Sequence, residues 1–549
     1  MNHPVPSFAR RPTAVRVLLV LLLIIPFVAF SQLRFIDGDE GYLLMAARLV
    51  AEGKVPYRDF FFPQGPVLPY LYVVLLSPFG ITWQSGRLLS AICAAGTSWL
   101  LLVAIVRKGG DARAKWLGVF LFATTALAFA WLPIAKTYAP TALFLTASYV
   151  ATLPAVGEKK ATWRAIGLGA SAALAVGARL YALALVPLLF FLFWKSLRQN
   201  RGRELGVAVG AFIVGCVPWL WVCAQDPDNA MHGLIGYHLQ RSGMGLGESL
   251  FQKAQVVRTL FGFASYGHPA GLQLVMLASL LVIGMRRGSV HLRDDGGLWL
   301  AAVLFIVSLL PTPSHPQYFT LCIPFVIPTV AMSLSASWSE PSRVAKRLIP
   351  AALVVYVAFG TFEWARYTTT GKHVVGVDRP NAWTLSASEQ MARLLDTYAE
   401  CGPVLASWPG YLVESKASPL SGMESHFSPH AAVAITSAEE RRRRRVVASS
   451  ELPSMIEAKA ASIVVVGNRA KYIFEADPTS VLEASGYRVI TTLGGTNVWG
   501  LATSACVERK GKAPGPINAK AGDAPPLGEG EDDEEAVVPR EPQPSVAHP

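Results

Sequence analysis

Charged residues are scarce in this chain, and the centres of its apolar blocks contain no acidic residue. Of 549 residues, 16% are charged and 52% are hydrophobic, and the mean hydropathy is +0.38. A water-soluble protein of this length needs a far more charged surface, so the composition excludes an ordinary soluble protein. The apolar residues also cluster in blocks of membrane-spanning length. The composition therefore predicts a polytopic membrane protein.

Cysteines are few as well, six in the chain, and their spacing excludes a recognisable metal-binding motif. Two of them, Cys401 and Cys506, flank the first and last β-like runs of the C-terminal region. A disulfide between these two is plausible in an oxidising compartment. The other four lie in or beside apolar segments, where a small buried hydrophobic residue is the default: Cys93, Cys216, Cys223 and Cys322.

The apolar blocks predict about eleven membrane-spanning helices. The first block follows Arg10 and Arg11, with Arg16 at its start, and is either a signal peptide or a retained helix; its length, without a clear cleavage motif, favours a helix. Residues 66–79 are interrupted by three prolines and are predicted to lie at the membrane interface. The blocks run at about 15–33, 88–106, 115–133, 138–155, 163–178, 180–195, 204–224, 270–286, 297–311, 317–335 and 347–363.

Basic residues favour alternate loops, which fixes a predicted orientation. With the N-terminus in the cytoplasm, every inside loop is basic and the short outside connections are almost free of Lys and Arg. The net charge of +12 is therefore a topology signal, and no nucleic-acid motif accompanies it. The basic inside residues are Arg107, Lys108, Arg113, Lys115, Lys159, Lys160, Arg164, Lys195, Arg198, Arg201, Arg203, Arg286, Arg287, Arg293, Arg343, Lys346 and Arg347.

The predicted fold is mainly α, a polytopic transmembrane helical bundle with two parts outside the cytoplasm. Residues 1–364 form the membrane module, whose first extracytoplasmic loop is 34–87. Residues 365–506 are predicted to form a small extracytoplasmic α/β domain, because short β-like runs at 404–407, 462–466 and 487–492 alternate with helical patterns. Residues 507–549 are rich in Pro, Gly, Ala and acids, a composition typical of disorder.

Three acids stand directly after the first apolar block, in the sequence Asp37-Gly-Asp39-Glu40-Gly-Tyr42. They must face water or be paired, because hydrocarbon strongly disfavours a charged side chain. One interpretation is an active-site loop. The other is structural, with Asp37 or Asp39 capping the next helix and Glu40 favouring its positive end. Asp37 suits the cap best, which leaves Asp39 and then Glu40 as the candidates for chemistry.

Further polar side chains stand at other predicted outer helix ends. Each alone commonly anchors a helix at the interface. Together they face the same compartment, so we expect them to converge on one pocket. The residues are Lys136 and Tyr138, Arg179 and Tyr181, and His315, Gln317 and Tyr318.

At these positions the chain resembles GT-C type membrane glycosyltransferases, the group of family 39 protein mannosyltransferases and bacterial lipid A aminoarabinose transferases. The resemblance covers residues 14–335. Its main motif is Asp39-Glu40-Gly41-Tyr42, followed by Gly53-Lys-Val-Pro-Tyr57-Arg-Asp59 and Gly65-Pro66 with Tyr70. Weaker similarities are Lys136-Thr-Tyr138, Arg179-Leu-Tyr181 and His315-Pro-Gln-Tyr318. Gln64 stands where relatives often have a lysine.

The resemblance implies transfer of a sugar from a polyprenyl-phosphate donor to an acceptor hydroxyl outside the cytoplasm, with inversion at the anomeric carbon. Asp39 is then the general base and Glu40 its support; no cofactor is required, and a divalent metal on these two acids is possible. Arg179, Lys136, Arg241 and His315 are the candidates for the donor phosphate, with Arg179 preferred. Candidates for contact with the sugar or lipid are Tyr57, Tyr70, Tyr138, Tyr181 and Tyr318, together with the aromatic run at 60–62.

Other functions remain open on the sequence alone. A transporter or lipid-handling protein is the main alternative, although it predicts acids at mid-membrane depth; a non-catalytic envelope assembly protein is another. The 225–269 segment is either a lid or an interfacial helix. The run Arg441–Arg445 is a solvated loop or a contact with anionic headgroups or an anionic acceptor.

Overall fold

The structure is a computed structural model that describes residues 13–155, 158, 160–240, 245–261, 269–286, 295–339, 343–368, 384–467 and 470–511. It is mainly helical with one small sheet. Arg241 and the tail beyond 511 lie outside the described residues. Residues 507–511, predicted to begin the tail, instead belong to a helix that also contains Cys506.

The described residues of the membrane module are helices joined by short turns, with a 3₁₀ segment at Leu180–Leu185, a π-helical turn at His232–Gly236 and a second 3₁₀ segment at Pro316–Cys322. The helices are α1 (Thr13–Leu33), α2 (Gly38–Ala51), α3 (Val67–Leu76), α4 (Trp83–Arg107), α5 (Ala112–Thr124), α6 (Ala126–Trp131), α7 (Tyr138–Thr152), α8 (Thr162–Ala178), α9 (Val186–Ser196), α10 (Arg201–Ala224), α11 (Pro227–Met231), α12 (Tyr237–Gln240), α13 (Leu246–Leu260), α14 (Pro269–Arg286), α15 (Gly296–Leu309), α16 (Ile323–Ser339) and α17 (Arg343–Thr368).

Three of the described helical segments are long and apolar enough to cross a membrane by themselves. They are Trp83–Arg107, Arg201–Ala224 and Pro316–Trp338. Helix α10 also exposes a continuous apolar face that includes Ile213, Val214, Val217, Leu220 and Trp221. Such a face is typical of contact with lipid. Every predicted apolar block coincides with a helix or a pair of helices, whereas the count of eleven spans stays a prediction.

Residues 384–511 form what we call the C-terminal unit, a four-stranded sheet with short helices. The strand order is β1-β2-β4-β3, with β1 and β2 parallel and the other pairs antiparallel. A disulfide joins Cys401 to Cys506. The elements are α18 (Leu385–Thr397), β1 (Val404–Ala406), α19 (Ser428–Ala432), α20 (Ala438–Arg444), α21 (Leu452–Glu457), β2 (Ile463–Val466), α22 (Ala470–Ile473), α23 (Thr479–Ala484), β3 (Tyr487–Leu493), β4 (Thr496–Leu501) and α24 (Ala505–Gly511).

Candidate active site

Helix α2 begins at the acidic sequence, and Asp37 caps it. The Asp39 backbone N–H donates to Asp37 Oδ1 at 3.0 Å, and the Asp37 N–H donates to Glu40 Oε1 at 2.8 Å. These reciprocal bonds form a capping box, which satisfies two backbone donors at the start of the helix. The prediction that Asp37 is the cap is confirmed. The same geometry fixes Asp39 in the first turn of α2.

Lys136, in the turn between α6 and α7, bridges two of the acids. Its Nζ lies 2.6 Å from Asp37 Oδ1 and 2.9 Å from Asp39 Oδ2, and it donates to Gln317 Oε1 at 3.1 Å. Burial is the strongest influence on the pKa of Asp37 and raises it, but the charge and hydrogen bond of Lys136, together with the charge of Arg34, hold that pKa below its ordinary value. Lys136, predicted among the phosphate ligands, is therefore engaged with the acid pair.

Glu40 is fully buried, and both of its carboxylate oxygens accept hydrogen bonds. Arg87 Nη2 donates to Oε1 at 2.5 Å, while Arg87 Nε and the Ala135 N–H each donate to Oε2 at 2.8 Å. A buried ion pair of this kind is stable only when the remaining donors are also satisfied. Arg87 meets that condition by donating to the carbonyls of Ser31, Arg34 and Phe35. Glu40 therefore holds the first loop against α1 and α4.

Arg179, at the C-terminal end of α8, lies among three tyrosine rings. Its Cζ is 4.2, 4.8 and 5.7 Å from the ring centroids of Tyr138, Tyr181 and Tyr318. Nη1 donates to Thr137 Oγ1 at 2.9 Å, while the buried Nε has no acceptor and no described carboxylate pairs with the guanidinium. Aromatic faces stabilise a cation without neutralising it. Arg179 therefore offers a fixed positive charge to an anion.

Three consecutive residues connect the acids to this guanidinium. Lys136 pairs with the acids, Thr137 accepts from Arg179, and Tyr138 supplies one wall of the tyrosine cage. The pKa of Tyr42 on α2 depends on both the acids and the guanidinium. Burial raises this pKa most, the Asp39 charge raises it further, and the Arg179 charge lowers it. The carboxylates and the guanidinium thus belong to one site.

Residues of the 3₁₀ segment after α15 border the same site. Tyr318 faces Arg179, and Gln317 accepts from Lys136. The His315 ring packs edge-on against Tyr318 at a centroid distance of 5.4 Å, next to the guanidinium's cage. The structure therefore brings together Lys136, Tyr138, Arg179, Tyr181 and Tyr318, with His315 at their edge. Arg241, predicted as a further phosphate ligand, lies outside the described residues.

The two candidate tyrosines of the first loop, Tyr57 and Tyr70, are not part of the three-tyrosine cage around Arg179. Tyr57 is 1% exposed, has a left-handed backbone with φ of 69°, and donates its hydroxyl to the Gln64 carbonyl at 2.6 Å. A buried hydroxyl satisfied in this way shapes the loop and offers little surface to a substrate. Tyr70 is partly exposed on α3. The predicted aromatic contact at 60–62 is also internal, because all three phenylalanines are buried.

The C-terminal unit packs directly on the first turn of α2. Trp408 Nε1 donates to the Gly38 carbonyl at 2.7 Å, and the Trp408 ring covers Gly41. A Cβ at Gly41 would lie 2.7 Å from that ring, so only glycine fits this close approach. Further hydrogen bonds join the parts, among them Arg48 Nη1 to the Leu412 carbonyl at 2.6 Å and the Trp83 N–H to Glu414 Oε1 at 2.8 Å.

His426 of the C-terminal unit reaches the site, and our sequence reasoning missed it. Its Nε2 lies 3.8 Å from Asp39 Oδ1, and the side chain is 4% exposed. The ring packs against Phe427 and Tyr42, with centroid distances of 4.1 and 5.5 Å. The available signal was weak: a histidine in a turn of a domain predicted to lie on the same side as the acidic loop.

The arginine run of the C-terminal unit forms much of helix α20, and several of its charges are paired. Arg441 Nη2 lies 2.7 Å from Glu451 Oε1. Arg443 and Arg444 both pair with Glu440, at 2.9 and 2.8 Å. Internal pairs of this kind favour a solvated surface helix over a dedicated contact with anionic headgroups.

The acids proposed for a divalent ion do not fit one in this arrangement. Within the part of the chain that the structure describes, no group of three or more His, Cys, Asp or Glu side chains is placed to hold a metal. The cation at Asp37 and Asp39 is the Lys136 ammonium, and the Glu40 oxygens face Arg87.

Comparison with known proteins gives a family match for part of the chain and a shared fold for most of it. Residues 63–221 match the family model described as dolichyl-phosphate-mannose-protein mannosyltransferase. No curated protein matches the sequence.

The fold is similar to that of ArnT from Cupriavidus metallidurans. Against ArnT bound to undecaprenyl phosphate, the TM-score is 0.63 at 14% identity, covering 90% of this chain and 99% of ArnT. Against ArnT in the apo state, the TM-score is 0.62 at 14% identity, covering 90% and 98%. The resemblance to GT-C membrane glycosyltransferases is thereby confirmed: the chain has the ArnT fold, and a segment of it matches the mannosyltransferase family.

Proposed function

We propose that the chain transfers a sugar from a polyprenyl-phosphate donor to a hydroxyl of a glycan, lipid or protein acceptor on the extracytoplasmic face of the plasma membrane. The observation that carries this proposal is the 136–138 turn, which joins the Asp37 and Asp39 carboxylates to the Arg179 guanidinium. Glycosyl transfer from a phosphate needs a base and a cation in one place. The ArnT structure of the same fold, bound to undecaprenyl phosphate, supports a polyprenyl-phosphate donor.

In this proposal Asp39 takes the proton from the acceptor hydroxyl. The acceptor oxygen then forms a bond to the anomeric carbon, while the bond from that carbon to the phosphate oxygen breaks and its electron pair leaves with the phosphate. A single displacement of this kind inverts the anomeric carbon. Lys136 balances Asp37 and holds Asp39 Oδ2, which keeps the carboxylate in place for the proton transfer.

Arg179 is the proposed ligand of the departing phosphate. The guanidinium has no carboxylate partner among the described residues, and its Nε has no acceptor, so a phosphate oxygen would complete its hydrogen bonding. Its planar fork can bind two phosphate oxygens at once. Tyr138, Tyr181 and Tyr318 fix the plane of the fork. His315, beside Tyr318, is kept as a secondary candidate for the phosphate.

The proposed orientation has a cytoplasmic N-terminus, with the first loop and the C-terminal unit outside. Contact between Trp408 and the first turn of α2 supports a common side for the first loop and the C-terminal unit. An even number of spans must then separate them. The basic inside loops of the sequence favour the same orientation.

Replacing Asp39 by Asn tests the proposal, because the amide keeps the shape of the side chain and removes its basicity. We expect Asp39→Asn to lose at least about 100-fold in sugar transfer from membrane lipid extracts. Asp59→Asn is the matched control, because Asp59 lies in the same loop but pairs with Arg58 at the surface. Unchanged transfer by a folded Asp39→Asn protein would rule out the catalytic role.

A further inference from the structure

We infer that His426 is a positioning residue of the catalytic centre, which orients Asp39 through its Nε2, so that the C-terminal unit supplies part of the active site. This inference rests on the proposed function. It begins from the first turn of α2, whose two sides face different partners. Glu40 faces Arg87 in the membrane module, whereas Asp39 and Tyr42 face His426 of the C-terminal unit.

Asp39 and Tyr42 are three residues apart, so they share one side of the helix. His426 contacts both of them, so its ring lies against this side of the first turn of α2 and touches two side chains. The contact is specific in direction, because Nε2 is the ring nitrogen that approaches the carboxylate.

The two oxygens of Asp39 have different surroundings. Oδ2 lies 2.9 Å from Lys136 Nζ, while Oδ1 lies 3.8 Å from His426 Nε2. Both Oδ1 and Nε2 are shielded from solvent. We therefore expect His426 to act on the reaction through Asp39, whose Oδ1 it approaches, and not by contact with the substrate.

The position of His426 is fixed by its neighbours. The ring packs on Phe427 with a centroid distance of 4.1 Å and an interplanar angle of 38°, and Tyr42 meets it edge-on. Trp408 anchors the same unit on the same turn through the Gly38 carbonyl. An imidazole held in this way needs to move by only about 1 Å to come within hydrogen-bond distance of Asp39 Oδ1.

A second contact matters because the terminal torsion of an aspartate is broad. A carboxylate held through one oxygen can still rotate about its Cβ–Cγ bond. An Nε2–H donor on the other oxygen removes that freedom and fixes the lone pair that receives the acceptor proton. Misplacement of a catalytic group by about 1 Å can cost on the order of 100-fold in rate.

The test uses two substitutions of His426 and a control one turn later. His426→Phe keeps an aromatic ring on Phe427 and Tyr42 but cannot donate, whereas His426→Gln places an amide N–H near the position of Nε2. We expect His426→Phe to lower kcat by about 10- to 100-fold with the donor KM unchanged, and His426→Gln to retain most of kcat. His430→Phe, on helix α19, is expected to leave kcat unchanged.

Three outcomes would overturn the inference: normal kcat in a folded His426→Phe protein, equal losses in the Phe and Gln variants, or a higher donor KM at unchanged kcat. Thermal unfolding of each variant in detergent separates these results from misfolding. If His426→Phe does not fold, His426→Gln provides the test: full activity supports the inference, and no activity contradicts it. Failure of the proposed function can be distinguished from failure of this inference. It appears as full sugar transfer by Asp39→Asn, independently of the results for the His426 variants.

Discussion

Arg179 and Arg87 are both buried, but their partners differ. Arg87 is saturated by Glu40 and by backbone carbonyls, so its charge is neutralised in place. Arg179 has hydroxyl partners on Thr137 and Tyr138 and three aromatic rings, and no described carboxylate pairs with it. At the scale of single residues, this difference separates a structural cation from one that is available to a ligand.

Substitution of Arg179 by Lys tests that distinction, because it keeps the charge and removes the planar fork. We expect Arg179→Lys to lower kcat/KM for the lipid donor by about 10- to 100-fold, since lysine binds one phosphate oxygen at a time and stacks less well on tyrosine. Arg58→Lys, at the surface of the first loop, is the matched control. A wild-type kcat/KM for Arg179→Lys would show that the guanidinium does not bind the phosphate.

The sequence predicted part of this residue-level arrangement. The Asp37 cap followed from local rules, because a cap needs only its own helix. The sequence did not predict that Lys136 belongs to the acids, because Lys136 was placed by its helix end alone, and the acid pair is distant along the chain. His426 was missed for the same reason: its role depends on how two distant segments pack.

At the scale of elements, the contact between α2 and the C-terminal unit depends on Gly41. Helix propensity alone favours alanine over glycine by about 1 kcal/mol, so an isolated α2 would gain from the substitution. In the folded chain an added Cβ would lie 2.7 Å from the Trp408 ring and 2.8 Å from the Gly410 Cα. The C-terminal unit must shift to accommodate it.

We therefore expect Gly41→Ala to lower both the Tm of the protein in detergent and its transferase activity. The physical reason is that the shift moves His426 away from Asp39. Gly167→Ala is the control, because a Cβ at Gly167 meets no atom within 4 Å and gains helix propensity. Equal Tm and activity for Gly41→Ala and wild type would show that the Trp408 contact does not hold the two parts together.

Glu424, two residues before His426, gives the C-terminal unit a predicted pH dependence. Burial raises the pKa of this carboxyl from 4.5 to about 7, while the Gly422 N–H, Lys54 and Arg445 only partly oppose it. Between pH 4.5 and about pH 7, the folded chain binds more protons at Glu424 than the unfolded chain does. The free energy of unfolding therefore falls as the pH rises toward 7. The full penalty above pH 7 is at most about 3 kcal/mol.

Glu424→Gln removes this titration and keeps an acceptor for the Gly422 N–H. We expect the Tm of wild type to fall relative to that of Glu424→Gln as pH rises from about 5 to about 8, as measured by thermal unfolding in detergent. A Tm difference that stays constant over this range would show that Glu424 does not titrate there.

Local sequence patterns predicted three of the four strands. The strand that was missed, β4, follows a turn that is itself a local sequence signal. The β-like runs at 404–407, 462–466 and 487–492 correspond to β1, β2 and β3. Strand β4 was not predicted, although Gly494 and Gly495, both with positive φ, make the turn that pairs it with β3. A double glycine between two strand-like runs is a hairpin signal that the sequence contains.

At the scale of the whole molecule, the site is assembled from distant parts of the chain. The membrane module supplies Asp39, Lys136 and Arg179, and the C-terminal unit supplies His426. Hydropathy predicted the helices because each one can be recognised alone. It could not predict which helix ends meet, because that depends on tertiary packing.

The most direct test of the central claim follows the donor rather than the acceptor. Purified wild-type protein is incubated with a membrane lipid extract, and mass spectrometry measures sugar-linked polyprenyl phosphate and free polyprenyl phosphate, with Asp39→Asn as the inactive reference. We predict that the sugar-linked lipid is consumed and polyprenyl phosphate is released only with the wild-type protein. No change in either lipid with a folded wild-type protein, or equal conversion by Asp39→Asn, would contradict a glycosyltransferase that uses Asp39.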